Sequence, residues 1–499
     1  MRGLPSTIAL LVVALGLGAY IYFGTGKKDG NSAASSEKKV FQSIESSDIA
    51  ELTIKSESGD RTTVKKEGDR WQIVSPIQAA AAESDVIAAA SALANLDVVR
   101  VVDEAPADLG QYGLASPRVE VEYKASGEKP SGKLLLGGKT PTGSNVYAMK
   151  GDEKRVFLVA EYQNASLNKT TFDLRDKSVM KIERDKVDGV EVSYSGKGFG
   201  FAKKGDDWRV SQPLSAAADA GTVESLVGRV QSAQMKSIVS EQPTPADLKK
   251  FGLEKPDVTV TVNMGSARAT LAVGGAAADN AVYARDMSKN MIVTVEKSLA
   301  DDLKKPLDEY RRHEAFDFRA FTANHVELTR GGQTVVFDRV KGQGDNAQDT
   351  WKRVSPNPAD VDKAKMDSFL AGLADIRATS FTPTTAKTGI EKPALVVDAK
   401  FEDGKKEERV TFGQSGSDVY FTRPGEPGAA KADSEKFNDA IMALDELSKC
   451  RAGLPRAKSR GLPRAKSRGR CRADSRQRGN PRRRPACPPP FTERTVCCP

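Results

Sequence analysis

The feature that most constrains the fold of this 499-residue chain is a motif that occurs three times. The stretches YGLASPRVEVEY, FGLEKPDVTVTV and TGIEKPALVVDA begin at Tyr112, Phe251 and Thr388. The three tryptophans of the chain recur in the same order, in DRWQIVSP, DDWRVSQP and DTWKRVSP. Two motifs that repeat in the same order indicate internal duplication, and each unit is long enough to bury a core. The sequence therefore predicts three tandem domains.

Each unit has the same predicted order of elements. A β-hairpin precedes each tryptophan, as in AELTIKSESGDRTTVKKEGDRWQIV, and a helix with one apolar face follows. In the second unit that face holds the spacing i, i+3, i+4, i+7 at Val223, Leu226, Val227 and Val230. The opening motif then leads into an alternating strand, further extended runs and a short last helix. The order is about β-β-α-β-β-β-β-α, which predicts an α+β fold with an antiparallel sheet and a packed helix.

The chain is predicted to divide into six parts. These are an N-terminal membrane anchor at 1–27, a flexible linker at 28–47, repeat domains at 48–179, 180–319 and 320–449, and a tail at 450–499. The two joints between repeats, LRDKSVMKIERDKVDGVEVS and YRRHEAFDFRAFTANHVELT, align without gaps. We therefore expect neighbouring repeats to be connected in the same way, as in a regular tandem array.

The anchor is predicted from an uncharged stretch. No charge lies between Arg2 and Lys27, and residues 4–23 supply about the 20 apolar residues that cross a bilayer. A cleaved signal peptide is the alternative, but no small-residue cleavage site closes the apolar run. Charge alone does not decide the orientation, because Arg2 and the terminal amine nearly balance Lys27 and Lys28. We expect an inner-membrane, single-pass protein whose body lies on the periplasmic or extracytoplasmic side.

The tail differs from the rest of the chain in composition. It holds 15 of the 76 Lys and Arg residues, two of the 67 Asp and Glu residues, and all five cysteines. The remaining body is slightly acidic, so no nucleic acid is expected to bind residues 1–449. The body also has no thiol for nucleophilic catalysis, a disulfide or metal binding. We interpret the tail as a basic, Cys/Pro-rich disordered segment and a possible frameshift or read-through product.

The motifs yield structural positions rather than a reaction. We expect the tryptophans to be core residues, the motif glycines to allow a turn with positive φ, and the motif prolines to start a strand. A ligand platform made by the tryptophans is the alternative that the pattern leaves open. The predicted repeat positions are Trp71, Trp208, Trp351, Gly113, Gly252, Gly389, Pro117, Pro256 and Pro393.

Other candidates for chemistry are weak. His313 and His325 are the two histidines, and the aligned joint places Lys177 and Gly189 at their positions, so we interpret them as surface or joint residues. The glycines of SGKGFG lie in a predicted hairpin, and the acids before each tryptophan fit turns better than cation sites. The sequence has no P-loop, serine elbow or zinc helix. We therefore predict no catalytic, cofactor-binding or metal-binding residue and no cofactor.

Residues 1–449 resemble the bacterial domain of unknown function 4340 proteins. The resemblance rests on the anchor, the W-x-x-x-x-P segment and the YGL-x-x-P segment. This resemblance implies an envelope component of the kind often encoded near ABC-transporter subunits of the gliding-motility type. We expect a non-enzymatic, membrane-anchored accessory or binding component of an ABC-type export or surface-assembly system, with protein partners. The alternatives are an envelope hydrolase with an unrecognised carboxylate site between repeats, and nucleic-acid binding through the tail.

Overall fold

Three consecutive nine-stranded sheets form the body of the chain, and all their strand pairs are antiparallel. The computed structural model describes residues 39–342 and 348–448. The strands of each repeat are counted from first to ninth along the chain. Within the sheet they lie side by side in the order fourth, third, second, first, sixth, seventh, eighth, ninth and fifth. Identical strand order in all three sheets means that each repeat is one complete copy of the same α+β unit. The three repeats belong to one compact unit of the chain.

The first repeat contains nine strands and three helices. They are β1 (Ile49–Lys55), β2 (Arg61–Glu67), β3 (Arg70–Ser75), β4 (Ala79–Ala80), α1 (Glu83–Ala94), β5 (Arg100–Asp103), β6 (Val119–Ala125), β7 (Gly132–Lys139), β8 (Asn145–Lys150), β9 (Val156–Ala160), α2 (Glu161–Leu167) and α3 (Thr171–Leu174).

The second repeat has the same strands and adds a short helix after its fifth strand. Its elements are β10 (Gly189–Tyr194), β11 (Lys197–Lys204), β12 (Asp207–Gln212), β13 (Ala216–Ala217), α4 (Ala220–Gln231), β14 (Ser237–Ser240), α5 (Pro245–Lys250), β15 (Val258–Met264), β16 (Ala267–Ala277), β17 (Ala281–Asp286), β18 (Ile292–Glu296) and α6 (Lys297–Leu303).

The third repeat ends with a longer helix than the other two. Its elements are β19 (Ala323–Arg330), β20 (Gln333–Val340), β21 (Thr350–Ser355), β22 (Ala359–Val361), α7 (Lys363–Ala374), β23 (Ala378–Thr382), β24 (Leu395–Phe401), β25 (Lys406–Ser415), β26 (Asp418–Thr422), β27 (Ala429–Ala432) and α8 (Ser434–Ser448). Short 3-10 helices also occur, at Ser46–Asp48, Gly110–Tyr112, Arg184–Lys186 and Leu307–Tyr310.

One face of each sheet packs against the 12-residue helix that follows the fourth strand. In α4 the buried residues are Val223, Leu226, Val227 and Val230, which is the face that the sequence predicts. The N-cap Asp219 accepts a hydrogen bond from Thr222 N–H and so fixes where α4 begins. Asp362 caps α7 in the same way. Burial of one helical face per repeat gives each sheet its own main core.

The YGL motif packs on the opposite face of the sheet. Tyr112 and Leu114 form a small cluster with Tyr147 of β8, and Phe251 and Leu253 form one with Tyr283 of β17. The ring centroids of Phe251 and Tyr283 lie 4.4 Å apart. The motif therefore covers the face of the sheet that the long helix leaves open.

The structure has more strands than the predicted order. Two strands are predicted before the long helix and four are present, because the tryptophan segment itself forms a third strand and a very short fourth strand follows it. A fifth strand, four or five residues long, follows the long helix at the far edge of each sheet. Edge strands this short show too little alternation to be recognised in a sequence. The α+β class, the antiparallel sheets and the three tandem repeats are confirmed.

The predicted anchor at 1–27 and most of the predicted linker lie outside the described residues, as does the tail from 450 onward. Across residues 39–342 and 348–448, the model contains no helix with both the length and the apolar character needed to span a membrane.

Candidate functional site between the second and third repeats

A cleft of about 800 Å³ lies where the second repeat meets the third. Its walls come from β12, the start of α4, the connecting segment 310–319, and the strands β24 and β25 of the third repeat. The lining includes Trp208, Phe316 and Phe318 among many charged side chains. A large cleft at a domain boundary is the usual place for a ligand or partner to bind.

The connecting segment bonds to both repeats through its backbone. On the side of the second repeat, Asp219 N–H donates to Tyr310 O (2.8 Å) and Arg312 N–H donates to Ala217 O (3.0 Å). On the side of the third repeat, Ala315 N–H donates to Ile376 O (2.8 Å) and Ala378 N–H donates to His313 O (2.7 Å). Because successive residues of one segment bond to both repeats, the segment joins them as a shared extended segment that makes an isolated β-bridge on each side.

The joint between the first and second repeats has the same hydrogen bonds. Ala82 N–H donates to Leu174 O (2.8 Å) and Asp176 N–H to Ala80 O (2.9 Å). Val179 N–H donates to Ala233 O (3.1 Å) and Met235 N–H to Lys177 O (2.8 Å). Lys177 corresponds to His313, as in the ungapped alignment of the two joints. The expectation that neighbouring repeats are connected alike is therefore correct.

Side chains of the connecting segment also enter both cores. Tyr310 is buried in the core of the second repeat, whereas Ala315 and Phe316 are buried in the core of the third. Burial raises the pKa of Tyr310 to about 12. Leu174 and Val179 have the equivalent roles in the first joint. Apolar anchoring on both sides opposes any separation of adjacent repeats.

The second joint contains a buried cation that the sequence does not indicate. Arg423, 8% exposed, donates from Nε to Ala315 O (3.2 Å), and from Nη2 to Arg312 O (3.2 Å) and to Glu314 O. Its Nη1 donates to Glu426 Oε2 (2.9 Å). Burial lowers the pKa of Arg423, while the charge of Glu426 favours the protonated form. A buried arginine is tolerated here because the carbonyl and carboxylate oxygens satisfy its donors.

Glu426 extends this contact to the preceding repeat. Its Oε1 accepts a hydrogen bond from Ala217 N–H (2.9 Å), so one carboxylate joins Arg423 of the third repeat to β13 of the second. In the first joint Lys289 donates from Nζ to Val179 O (2.7 Å), at the place where Arg423 binds Ala315 O. A cation from the next repeat therefore holds the connecting segment in both joints, and in the second joint a carboxylate also links that cation to the edge strand of the preceding repeat.

Acidic residues from both repeats line the cleft, which is the arrangement that the hydrolase alternative requires. They are Asp207 and Asp219 of the second repeat, Glu314 and Asp317 of the connecting segment, and Glu407, Glu408 and Glu426 of the third repeat. Asp219 caps α4, and Glu426 binds Arg423 and Ala217 N–H. Glu408 accepts hydrogen bonds from Arg312 Nη2 (2.8 Å) and Asp317 N–H (2.7 Å). The other ion pairs join Glu314 to Arg377 (2.8 Å), Asp317 to Arg312 (4.0 Å) and Glu407 to Lys400 (3.8 Å). Six of the seven carboxylates thus have structural partners, and the cleft has the character of a binding surface.

The predicted tryptophans are buried in the third strand of each sheet, and their exposed fractions are 4%, 3% and 1% for Trp71, Trp208 and Trp351. Their polar partners differ. Trp208 Nε1 donates to Glu224 of α4 (2.9 Å), whereas Trp351 Nε1 is buried with no partner among the described residues. Burial raises the pKa of Glu224, whereas the hydrogen bonds from Trp208 and Arg184 lower it. The net effect is a pKa below the usual value for a glutamate. Trp208 also borders the cleft.

The motif glycines all have positive φ, at 67° for Gly113, 72° for Gly252 and 78° for Gly389. A Cβ on Gly252 would lie 2.9 Å from Gly275 N of β16. Pro117, Pro256 and Pro393 each lie two residues before the sixth strand of their repeat. The segment W-x-x-x-x-P ends in a cis peptide bond in each repeat, at Pro76, Pro213 and Pro356.

The two histidines occupy different surroundings. His313 lies in the second joint, with Nδ1 2.9 Å from Ala378 O and Nε2 3.1 Å from Asp308 O. His325 lies in β19, with Nδ1 2.6 Å from Asp338 Oδ1. Within the described parts of the chain, no group of three or more His, Cys, Asp or Glu residues is arranged to hold a metal ion.

No local sequence pattern indicates the residues that build the cleft, namely Arg312, Glu408, Arg423 and Glu426. Arg423 and Glu426 lie in the segment FTRPGEPG, whose glycines and prolines indicate an ordinary surface loop. Their burial depends on contact with another repeat, and no local pattern predicts such a contact.

Fold and joints together define a class of protein, a tandem array of α+β repeats connected by shared extended segments. The family model described as "Domain of unknown function (DUF4340)" matches residues 71–213 and 208–393, which is more than half of the chain. The chain belongs to this family. Comparison with curated proteins gives no match, and neither does comparison with solved structures.

The family matches are shifted relative to the sheets. The first match begins at Trp71 in the third strand of one repeat and ends at Pro213 in the next repeat. The second begins at Trp208 and ends at Pro393, just before β24. Each match therefore crosses a joint, so the family pattern includes the connection between repeats.

Proposed function

We propose that the chain is a membrane-anchored, non-enzymatic envelope protein that binds a protein partner, as an accessory of an ABC-type export or surface-assembly system. The observation that carries this proposal is the construction of the joints. Each connecting segment bonds to both neighbouring sheets and places apolar side chains in both cores. Such joints keep adjacent repeats in a fixed arrangement, which is what a binding scaffold needs.

The membrane part of the proposal is supported by the apolar stretch at 4–23, which is about as long as a bilayer-spanning helix. The body, which follows this single N-terminal stretch, is proposed to lie on the extracytoplasmic side, although the nearly balanced flanking charges do not decide the orientation.

The cleft between the second and third repeats is the proposed binding surface. It is lined by aromatic side chains and arginines, which are enriched at protein interfaces, together with acidic side chains. Arg312, Glu408, Arg423 and Glu426 are held by one another or by backbone groups. Their geometry is therefore set before a partner binds, and preorganisation of this kind favours affinity and specificity.

Site-specific photo-crosslinking in cells tests the proposal. A photoreactive amino acid replaces Arg319, an exposed residue that lines the cleft, and in a matched variant it replaces Tyr162, an exposed residue of the first repeat. We expect an adduct with an ABC-transporter subunit, recovered with the membranes, from position 319 and little from position 162. Absence of such an adduct, or equal yields from both positions, would contradict partner binding at the cleft.

A further inference from the structure

The outer edge of the short fourth strand is occupied in the first two repeats. At β4, Ala82 N–H and Ala80 O bond to the connecting segment, which forms a bridge between Ala81 and Arg175. At β13, Asp219 N–H and Ala217 O bond to the next connecting segment in the same way. The fold thus contains two copies of one docking mode, in which an extended segment adds antiparallel to this edge.

The third repeat has the same edge without that segment. By position after the tryptophan, Val361 of β22 corresponds to Ala81 and Ala218, and β22 pairs with β21 on its inner side. Among the described residues no segment pairs with the outer side of β22. Val361 is half-buried, whereas Ala81 and Ala218 are only 6% and 7% exposed, and Asp360 is exposed, whereas its equivalents Ala80 and Ala217 are half-buried. An uncovered strand edge presents backbone donors and acceptors that can pair with another chain.

The two segments that occupy the equivalent edges share a pattern. Each has a buried apolar residue, Leu174 or Tyr310, followed by the arginine that bridges to the edge, Arg175 or Arg311. The open edge also differs from the other two in charge, because the third repeat has Asp360 at the position of Ala80 in the first repeat and Ala217 in the second. A carboxylate beside the bridging position favours an incoming cation.

We propose that β22 is a docking edge for an extended segment of a partner protein that carries a large apolar residue followed by arginine. The segment adds antiparallel to β22, and its backbone bonds to Asp362 N–H and Asp360 O, which is recognition by strand addition. This inference shares with the proposed function only the premise that the partner is a protein. The edge lies apart from the residues that line the cleft, so the two can fail separately.

The natural probe is the segment that fills the equivalent edge of the second repeat. A fluorescently labelled peptide PLDEYRRHE, residues 306–314, is titrated with the full chain in detergent micelles, and binding is followed by anisotropy. Two variants form a matched pair. Asp362→Pro and Asp362→Ala both remove the cap of α7, but only proline removes the N–H, and the φ of −62° at this position suits proline.

We expect binding to the full chain and to Asp362→Ala, about tenfold weaker binding to Asp362→Pro, and none of a peptide with the same residues in scrambled order. Equal affinity for both variants, or failure of the wild type to bind, would overturn the proposal. Amide hydrogen exchange at Asp362 supplies a second readout, with slow exchange expected only when the peptide is present. Slow exchange at Asp362 without peptide would instead show that the edge is already covered. Cover by a second copy would make the exchange rate depend on protein concentration, whereas cover by the same chain would not.

Discussion

At the scale of single residues, the repeats are similar in shape but not in chemistry. The indole of Trp208 has a charged partner in Glu224, whereas the equally buried indole N–H of Trp351 has none among the described residues. A buried donor without an acceptor costs free energy, while a hydrogen bond to a charged acceptor contributes to stability. The same motif residue therefore contributes differently to two repeats, depending on what the neighbouring helix supplies.

A pair of substitutions separates packing from hydrogen bonding. We expect Trp208→Ala to lower the free energy of unfolding by about 3–5 kcal/mol, because it removes a large buried side chain. Trp208→Phe should cost about 1–2 kcal/mol more than Trp351→Phe, because only the first change removes a bond to a carboxylate. Urea unfolding followed by far-ultraviolet circular dichroism measures both. Equal costs for the two Phe variants would mean that the bond to Glu224 contributes nothing.

At the scale of elements, a single contact explains why each of the first two repeats has glycine both in the YGL motif and in its seventh strand. The turn of the YGL motif lies against the paired glycines of the seventh strand, and Gly275 N–H donates to Phe251 O (2.9 Å). Neither Gly252 nor Gly274 has room for a Cβ, since the backbones are in direct contact. In the third repeat Gly389 packs against Gly413 and Gln414, so one glycine of the pair is replaced there. The close approach brings the motif's apolar residues onto the sheet.

Gly252→Ala tests this contact, with Gly265→Ala as the matched control. Both residues have positive φ, at 72° and 63°, but a Cβ at Gly265 meets nothing within 4 Å. We expect Gly265→Ala to cost about 1–2 kcal/mol through backbone strain alone. Gly252→Ala should cost about 1–3 kcal/mol more, since its Cβ would press against Gly275. Thermal or urea unfolding of the two variants compares the costs, and similar values would argue against the close approach.

At the scale of the whole molecule, the joints decide how the repeats work together. Each joint has a shared extended segment, apolar anchors on both sides and a cation from the following repeat. The second joint adds the carboxylate of Glu426, which is buried with Arg423. Buried ion pairs contribute more to geometric specificity than to net stability, but loss of one partner is costly. The proposed binding cleft therefore depends on this pair for its shape.

Glu426→Ala is expected to loosen the second joint, because it leaves Arg423 buried without a counterion and Ala217 N–H without an acceptor. The predicted cost is about 3–5 kcal/mol, and amide exchange at Ala217 should accelerate while exchange at Asp176 in the first joint stays the same. Glu241→Ala is the control, since Glu241 pairs with Arg175 in the first joint but is half exposed. An exposed pair contributes under about 1 kcal/mol. A small effect of Glu426→Ala, comparable with that of the control, would contradict the role assigned to the buried pair.

The sequence was informative wherever a local pattern reports a local structure. The alternation of Val258, Val260 and Val262 predicts a half-buried strand, and all three are buried in β15. The four apolar residues of α4 form the predicted buried face. The ungapped alignment of the joints predicts equivalent connections, and the hydrogen bonds agree. By contrast, β4, β13 and β22 span only two or three residues, too few to show a pattern, although β4 and β13 form the edges on which the joints are built and β22 is the open edge.

Repetition, α+β class and family membership were determined by the amino-acid sequence itself, because they follow from patterns that neighbouring residues express. The cleft, the buried Arg423–Glu426 pair and the open edge of the third repeat were decided only by the tertiary structure. Residues 217, 312 and 426 are distant in the chain, and their contact arises only when two folded repeats meet. Contacts of this kind depend on how the folded elements are placed in space. Backbone hydrogen bonds form with any strand within reach and do not require particular residue types, so a sequence pattern does not reveal them.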